Sequence, residues 1–369
     1  MNNKERIINT VLGKPTDRAP YILYFGPWDE TVERWKQEGF DESTDIAASL
    51  GYDSGFWMIQ GVNLGFCPAF STEVIRETDT SYISRNEFGA VRETLKSNET
   101  IPRYLEYPVK DREDWEKLKR ERLDPNDERR FPASWKEDCK RYRESDCVIQ
   151  LGDFPYGLFG TVRELMGVEN LLLSFYDDPE LIHDMMDTLT DFWLAIYEKV
   201  VQDVKVDCIH IWEDMSGKQG PLISPDMMRE FMVPNYQKIK AFCRKHDIPI
   251  LMLDTDGNCE KIMPVLIEGG INLLVPFEVA AGSDVVAYRE KEEYENLAMM
   301  GGIDKQKIAL GRDEIDRELE RIRPLLGGTR YLPALDHLIQ PEISWEDFCY
   351  YSRQLKRMIE EERRDEAGK

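Results

Sequence analysis

Eight short apolar runs punctuate this 369-residue chain, and helical periodicity fills most of the gaps between them. They are Ala19–Phe25, Ser54–Ile59, Cys147–Leu151, Val206–Trp212, Ile248–Leu253, Ile271–Pro276, Leu297–Gly301 and Arg330–Leu335. Runs this short are strand-length, and strands that alternate with helices pair in parallel, because each helix carries the chain back across the sheet. Asp177-Asp178-Pro179-Glu180 reads as a helix start, an N-cap followed by proline in the first turn. Leu181, Met185, Leu189, Phe192 and Ile196 then recur at spacings of three and four. Ser224-Pro225-Asp226 opens another helix, running through Phe231 towards Cys243. Eight strands with intervening helices predict a (β/α)8 TIM barrel. A doubly wound open sheet is the alternative, but no GxGxxG follows any of these runs.

One stretch breaks the alternation. Glu73–Asp79, Tyr82–Ser84 and Val91–Leu95 alternate in polarity around a turn at Asn86–Gly89, which predicts an antiparallel excursion over one mouth of the barrel. It lies within an irregular segment of about residues 64–146, whose charged part, Lys110–Ser145, reads as a solvated helical face. No repeat, low-complexity tract or Gly/Ser linker divides the chain, so residues 1–369 read as a single domain.

Charge narrows the function. With 71 acidic against 48 basic residues the net charge is −23, which excludes a nucleic-acid binder held by phosphate contacts and disfavours anionic lipid. No apolar run approaches the ~18 residues of a membrane span. The start, Met1–Arg6, leads into an amphipathic stretch unlike a secretory signal. Seven dispersed cysteines without a CxxC read as reduced thiols of a cytoplasmic protein.

In a barrel of this kind the active site gathers at the C-terminal ends of the strands, and here those ends are polar. The fourth run ends His210-Ile211-Trp212-Glu213, the fifth Asp254-Thr255-Asp256-Gly257-Asn258, and the sixth Pro276-Phe277-Glu278. The seventh ends Ile303-Asp304-Lys305 and the eighth Asp336-His337. Alternation places His210 with Trp212 on one side of their strand, Met252 with Asp254 on one side of theirs, and Leu335 with His337 likewise. A lone carboxylate after a strand ordinarily caps the next helix. Five such endings on one rim, holding two of the four histidines, predict a polar active site instead. Crowded carboxylates persist only if protonated, paired or bound to a cation. His with Asp or Glu ligands suits zinc or another divalent ion, although these spacings match no specific metal signature. Gly152, Gly157 and Gly160 either let a ligand approach the backbone or turn the chain.

Leu253–Asn258, Glu268–Asn272 leading to Glu278, Gly301–Lys305 with Gly311, and Tyr331–His337 before Ile343-Ser344 resemble the uroporphyrinogen decarboxylase superfamily. Lys218–Pro225, Phe154–Gly160 and Leu165–Glu169 fit the same pattern, and the likeness runs from Arg6 to about residue 358. It implies the TIM barrel. True decarboxylases carry an Arg-Gln-Ala-Gly-Arg segment for the tetrapyrrole carboxylates, where this chain reads Tyr24-Phe25-Gly26-Pro27-Trp28-Asp29. The chain is more similar to the branch of cobalamin-dependent methyltransferases. Its thiol-methylating members hold zinc with His-x-Cys after the fifth strand and a Cys near the eighth. The matching positions here are Asp254-Thr255-Asp256 and Asp336-His337, an oxygen- and nitrogen-rich set without thiolate.

The resemblance therefore implies transfer of a methyl group from a small methoxylated or methylamine-type substrate to the Co(I) of a corrinoid protein. Asp254, Glu213, Glu278 and His210 are the candidate catalytic residues. Trp212, Tyr156, Asp304 and Asn258 are candidates for binding substrate, and Asp254, Asp256 and His337 for holding zinc. None of His183, His210, His246 and His337 lies in an Asp-x-His-x-x-Gly segment, so cobalamin is expected on a partner protein. Homodimers are common in the superfamily. The competing expectations are a carboxy-lyase acting on a small or tetrapyrrole acid, and a non-catalytic relative that binds a corrinoid or other ligand.

Overall fold

A computed structural model describes residues 1–96 and 98–367. Its strands, in chain order, are β1 (Phe56–Met58), β2 (Glu73–Glu77), β3 (Ser81–Arg85), β4 (Val91–Leu95), β5 (Asn98–Glu106), β6 (Val148–Leu151) and β7 (Cys208–Trp212). A two-residue pair follows, β8 (Ser216–Gly217) and β9 (Gly220–Pro221), and then β10 (Ile250–Asp254), β11 (Leu273–Val275), β12 (Ala298–Ile303) and β13 (Tyr331–Leu335). Seven of them form one curled parallel sheet in the order β1-β6-β7-β10-β11-β12-β13, a TIM-barrel-like arrangement.

The two faces of this sheet carry different side chains, as the period of two demands. Val148, Cys208, Ile250, Met252, Leu273 and Val275 meet in an inner cluster together with Ala298, Met300, Leu332 and Ala334. Ile149, Ile209, Leu251, Leu253 and Leu274 point the other way, into the layer packed by helices. Each fully buried side chain of this size contributes roughly 1.5–3 kcal/mol. Ile7 and Val11 of the helix Asn3–Val11 join the inner cluster. The carbonyl of Thr10 accepts from Arg330 just before β13, so this helix covers the N-terminal end of the sheet and leaves the opposite end open. The predicted helix start is present: Asp178 caps Pro179–Asp203, accepting from Leu181 N at 3.0 Å. Its stripe Leu181, Met185, Leu189, Phe192 and Ile196 is buried. Ser224 caps Pro225–Phe231, and a separate helix, Val233–Lys245, carries the pattern on to Cys243.

Eight strands are expected from the sequence and seven are found among the described residues. The run Ala19–Phe25 makes no ladder. It nevertheless lies between β1 and β13: Tyr21 O accepts from Asp53 N at 2.7 Å, and Ile339 N donates to Gly26 O at 3.0 Å. Ile22 belongs to the inner cluster. Strand pairing fails because Pro20 has no N–H and the N–H of Tyr21 is taken by the Asp53 carboxylate at 3.0 Å, itself held by Arg18 at 2.6 Å.

The excursion is a four-stranded antiparallel sheet, β2-β3-β4-β5. It does not sit over the mouth. Tyr104 reaches Glu164 at 3.3 Å and Val109 N donates to Leu165 O at 3.1 Å, so the excursion flanks the helix Leu158–Met166. The charged segment after it contributes more than a solvated face, since Trp115 and Trp135 are buried. Among the described residues no helix is long and apolar enough to cross a membrane.

Candidate active site

At the open end, beyond the apolar layers of the inner cluster, the inward positions turn polar: Gln150 on β6, His210 on β7 and Asp254 on β10. They floor a cavity of about 380 Å³. Its ionisable lining is Asp153, Asp254, Asp256, His210 and His337. Its aromatic lining is Tyr24, Phe25, Phe56, Phe154 and Trp212. Among the described residues neither lysine nor arginine lines it.

Two histidine–aspartate pairs line this space. Nε2 of His210 stands 3.7 Å from Oδ2 of Asp254, and Nε2 of His337 stands 3.4 Å from Oδ2 of Asp256. His210 is only 2% exposed, yet neither of its ring nitrogens has a hydrogen-bond partner. Burial pushes the Asp254 carboxyl up, partly offset by the His210 imidazole, while the neighbouring Asp256 adds to the rise. Burial acts to lower His337, but the Asp256 carboxylate overcomes it and the imidazole titrates above its ordinary value. The ring of His337 stacks on Phe25 with centroids 5.4 Å apart, which fixes its orientation. Trp212 is held edge-on by Phe154 at 4.6 Å, and the Arg163 guanidinium lies 5.1 Å from its ring.

The structure brings His210, Trp212, Asp254, Asp256 and His337 together, as alternation and strand ends suggest. Alternation does not extend to His337, however: β13 stops at Leu335, which packs in the outer layer, while His337 turns into the mouth. The structure does not place Glu213 on the cavity. That carboxylate is fully buried and accepts from Leu158 N (3.0 Å), Phe159 N (2.6 Å), Gly160 N (3.0 Å) and the Tyr236 hydroxyl (2.6 Å). It thus closes the N-terminus of the helix Leu158–Met166. Burial drives it up to about 7 against the pull of these four donors. The glycines before it serve this packing: a Cβ on Gly157 would lie 1.7 Å from the carbonyl oxygen of Trp212.

Three further candidates are engaged in the backbone. Asp304 caps the short helix Lys305–Ile308 through Gln306 N at 2.9 Å. Asn258 bridges Ala281 O and Glu260 N, and Glu278 accepts from Gly257 N at 3.0 Å. Lys305, nearly buried, stands 3.5 Å from both Glu278 and the fully buried Asp336. Tyr156 packs beside Trp193, away from the cavity. Conversely, Tyr24, Phe25, Gln150 and Asp153 line it without being singled out in the sequence. The alternation Val148, Gln150 carried the signal for one of them.

Among the described residues no three His, Cys, Asp or Glu side chains stand close enough to hold one metal ion. Of the three residues expected to hold zinc, Asp254 stands beside His210 and Asp256 beside His337. What the arrangement can do chemically is supply protonatable groups and negative charge inside an aromatic enclosure.

The sequence model of the uroporphyrinogen decarboxylase (URO-D) family matches residues 91–358. The uroporphyrinogen decarboxylase of Sulfurovum sp. (strain NBC37-1) is 22% identical over 227 residues, 59% of this chain and 62% of that protein. The uroporphyrinogen decarboxylase of Sulfurimonas denitrificans is 21% identical over 183 residues, 50% of each chain. The chain thus spans about half to three fifths of the length of these curated relatives. A methyltransferase from Methanosarcina mazei superposes with a TM-score of 0.61 at 18% identity, covering 98% of this chain and 99% of that one, a likeness of fold. By the extent of the family match, the chain belongs to the uroporphyrinogen decarboxylase family.

Proposed function

We propose that this protein is a methyltransferase that takes a methyl group from a small methoxylated or methylamine-type substrate and delivers it to the Co(I) of a corrinoid carried by a partner protein. The site is the cavity at the C-terminal ends of the strands, in a full (β/α)8-type barrel whose eighth wall is the segment Ala19–Phe25. The observation that carries this reading is the lining: three carboxylates, two imidazoles and five aromatic rings, without lysine or arginine among the described residues. A tetrapyrrole polyacid would meet like charge there. A small neutral or cationic molecule would not. The similarity in fold to a named methyltransferase supports the same branch.

A corrinoid carried by a partner would be received over the mouth of the cavity. Phe154, at the rim, is 59% exposed and offers an apolar contact. When docked, the corrinoid supplies the nucleophile for the methyl carbon. The chain itself must hold the substrate dry and make its oxygen or nitrogen leave. For an ether the leaving oxygen must gain a proton, and the two groups placed to give it are the Asp254 carboxyl and Nε2 of His337, both shifted upward. For a methylated ammonium the nitrogen already carries its charge, and the same carboxylates serve as counter-ions. Trp212 and Phe25 wall off water and orient the methyl group.

Methyl transfer is tested by mixing the protein with a Co(I) corrinoid protein and candidate donors and following the loss of Co(I) absorbance. Turnover that disappears in Asp254→Asn is the expected result. Release of carbon dioxide from a carboxylated substrate, with no methyl transfer, would instead establish the carboxy-lyase reading that the names of the curated relatives favour. Corrinoid binding with neither reaction would establish the non-catalytic one.

A further inference from the structure

Three carboxylates, Asp153, Asp254 and Asp256, face a space in which two imidazoles, His210 beside Asp254 and His337 beside Asp256, stand against them and no lysine or arginine among the described residues does. Negative charge held in a partly dry cavity needs a counter-charge. The Arg163 guanidinium, 5.1 Å from the Trp212 ring, is tied to Asp214 at 2.7 Å and lies outside the lining. His210 adds an independent observation. It is 2% exposed, lines the cavity, and leaves both ring nitrogens without a partner. An unsatisfied buried polar group costs about 1–3 kcal/mol, so a ligand that donates a hydrogen bond to it is strongly preferred over one that cannot. The enclosing groups are aromatic: Tyr24 meets Phe25 edge-on at 4.9 Å and Phe56 at 5.5 Å, and Trp212 and the stacked Phe25 belong to the same lining. Aromatic faces with carboxylates behind them attract a cation whose surface is made of methyl groups.

We infer that the substrate of this cavity is a methylated ammonium ion that keeps one N–H, with that N–H donated towards His210 and Asp254 and its methyl groups against Trp212, Phe25 and Tyr24. This rests on the methyl-transfer reading only for its consequence, and it narrows that reading from ethers or amines to amines. In the transfer the C–N bond of the ammonium breaks and its electron pair stays on nitrogen. The methyl carbon forms its new bond to Co(I), whose electron pair makes that bond, and the amine leaves neutral without needing an acid.

The test needs no corrinoid. Protonated N,N-dimethylethanolamine and its neutral isostere 3-methylbutan-1-ol are titrated into the whole protein by calorimetry, with 2-methoxyphenol as the ether probe. The ammonium is expected to bind at least about tenfold more tightly than either neutral probe. That preference should collapse in Asp254→Asn and in His210→Leu, each checked for folding by circular dichroism. Asp256→Asn, at the rim, provides a second charge variant should one of these fail to fold. Equal or tighter binding of 3-methylbutan-1-ol or 2-methoxyphenol overturns the inference, and so does failure of the ammonium to bind at millimolar concentration. An ammonium preference without methyl transfer to Co(I) would leave it standing and remove the reading of the reaction. Transfer from 2-methoxyphenol without an ammonium preference would do the reverse.

Discussion

Glu213 and Asp254 are neighbours on adjacent strands, close enough that the N–H of Glu213 donates to the carbonyl of Asp254 at 2.8 Å. Both are acids at the end of a strand, Glu213 fully buried and Asp254 largely so, and both carboxyls are pushed up by burial. Their surroundings differ in one respect. Glu213 accepts from three backbone N–H groups and a phenol, whereas Asp254 has only an imidazole 3.7 Å away and opens on a cavity. A carboxylate saturated with donors has no capacity left for a ligand, so its role lies in the fold. A carboxylate left short of donors is an unsatisfied group that a ligand can complete. Position at a strand end does not separate the two cases; the count of donors does.

The largest effect that can break this contrast is on stability. At pH above about 7, where Glu213 is ionised and only accepts, Glu213→Gln replaces it with a group that points an N–H at other donors. It should destabilise the protein by about 3 kcal/mol, seen as a lower midpoint in urea, while the cavity keeps its ligand in the folded fraction. Tyr236→Phe removes one of the four donors to Glu213 and should cost about 1–1.5 kcal/mol by the same measurement. If either change were neutral for stability, the two acids would not differ as described.

Smaller effects sharpen the comparison. Trp212→Leu keeps an apolar wall but loses the π-face, and should weaken cavity ligands about fivefold with little change in unfolding midpoint. The pH dependence of stability carries the sign of Glu213. Its folded value, about 7, lies above the 4.5 of an ordinary glutamate. The folded state therefore keeps a proton that the unfolded state has lost. Its contribution is full below 4.5 and disappears as pH rises through about 7. Wild type should lose more stability across that interval than Glu213→Gln, by thermal melts at matched ionic strength.

All seven strands of the parallel sheet were legible in the sequence because both faces of such a sheet are buried, which leaves continuous apolar runs. The run Ala19–Phe25 has the same appearance but no ladder, since Pro20 and the Asp53 carboxylate intervene at the backbone, a long-range contact that no local pattern reveals. The fourth strand of the excursion, β5, escaped for the opposite reason. Pro102 and its charges disguise it, and both are tolerated because β5 lies at an edge. In the site, His210, Trp212 and Asp254 follow from alternation along short strands. Glu213, Asp304 and Asn258 share the same strand-end address, yet their side chains are taken up by backbone N–H groups and, for Asn258, also a carbonyl, of segments remote or local in the chain. Which carboxylate caps a backbone and which faces a cavity depends on tertiary donors, so composition and spacing could not divide them.

The most direct test of the account is the rate of methyl transfer to a Co(I) corrinoid protein by Asp254→Asn, measured on protein whose unfolding midpoint matches wild type. A loss of about a hundredfold or more is predicted, because the change removes the one deeply set carboxylate with capacity for a ligand. A rate within twofold of wild type would contradict it.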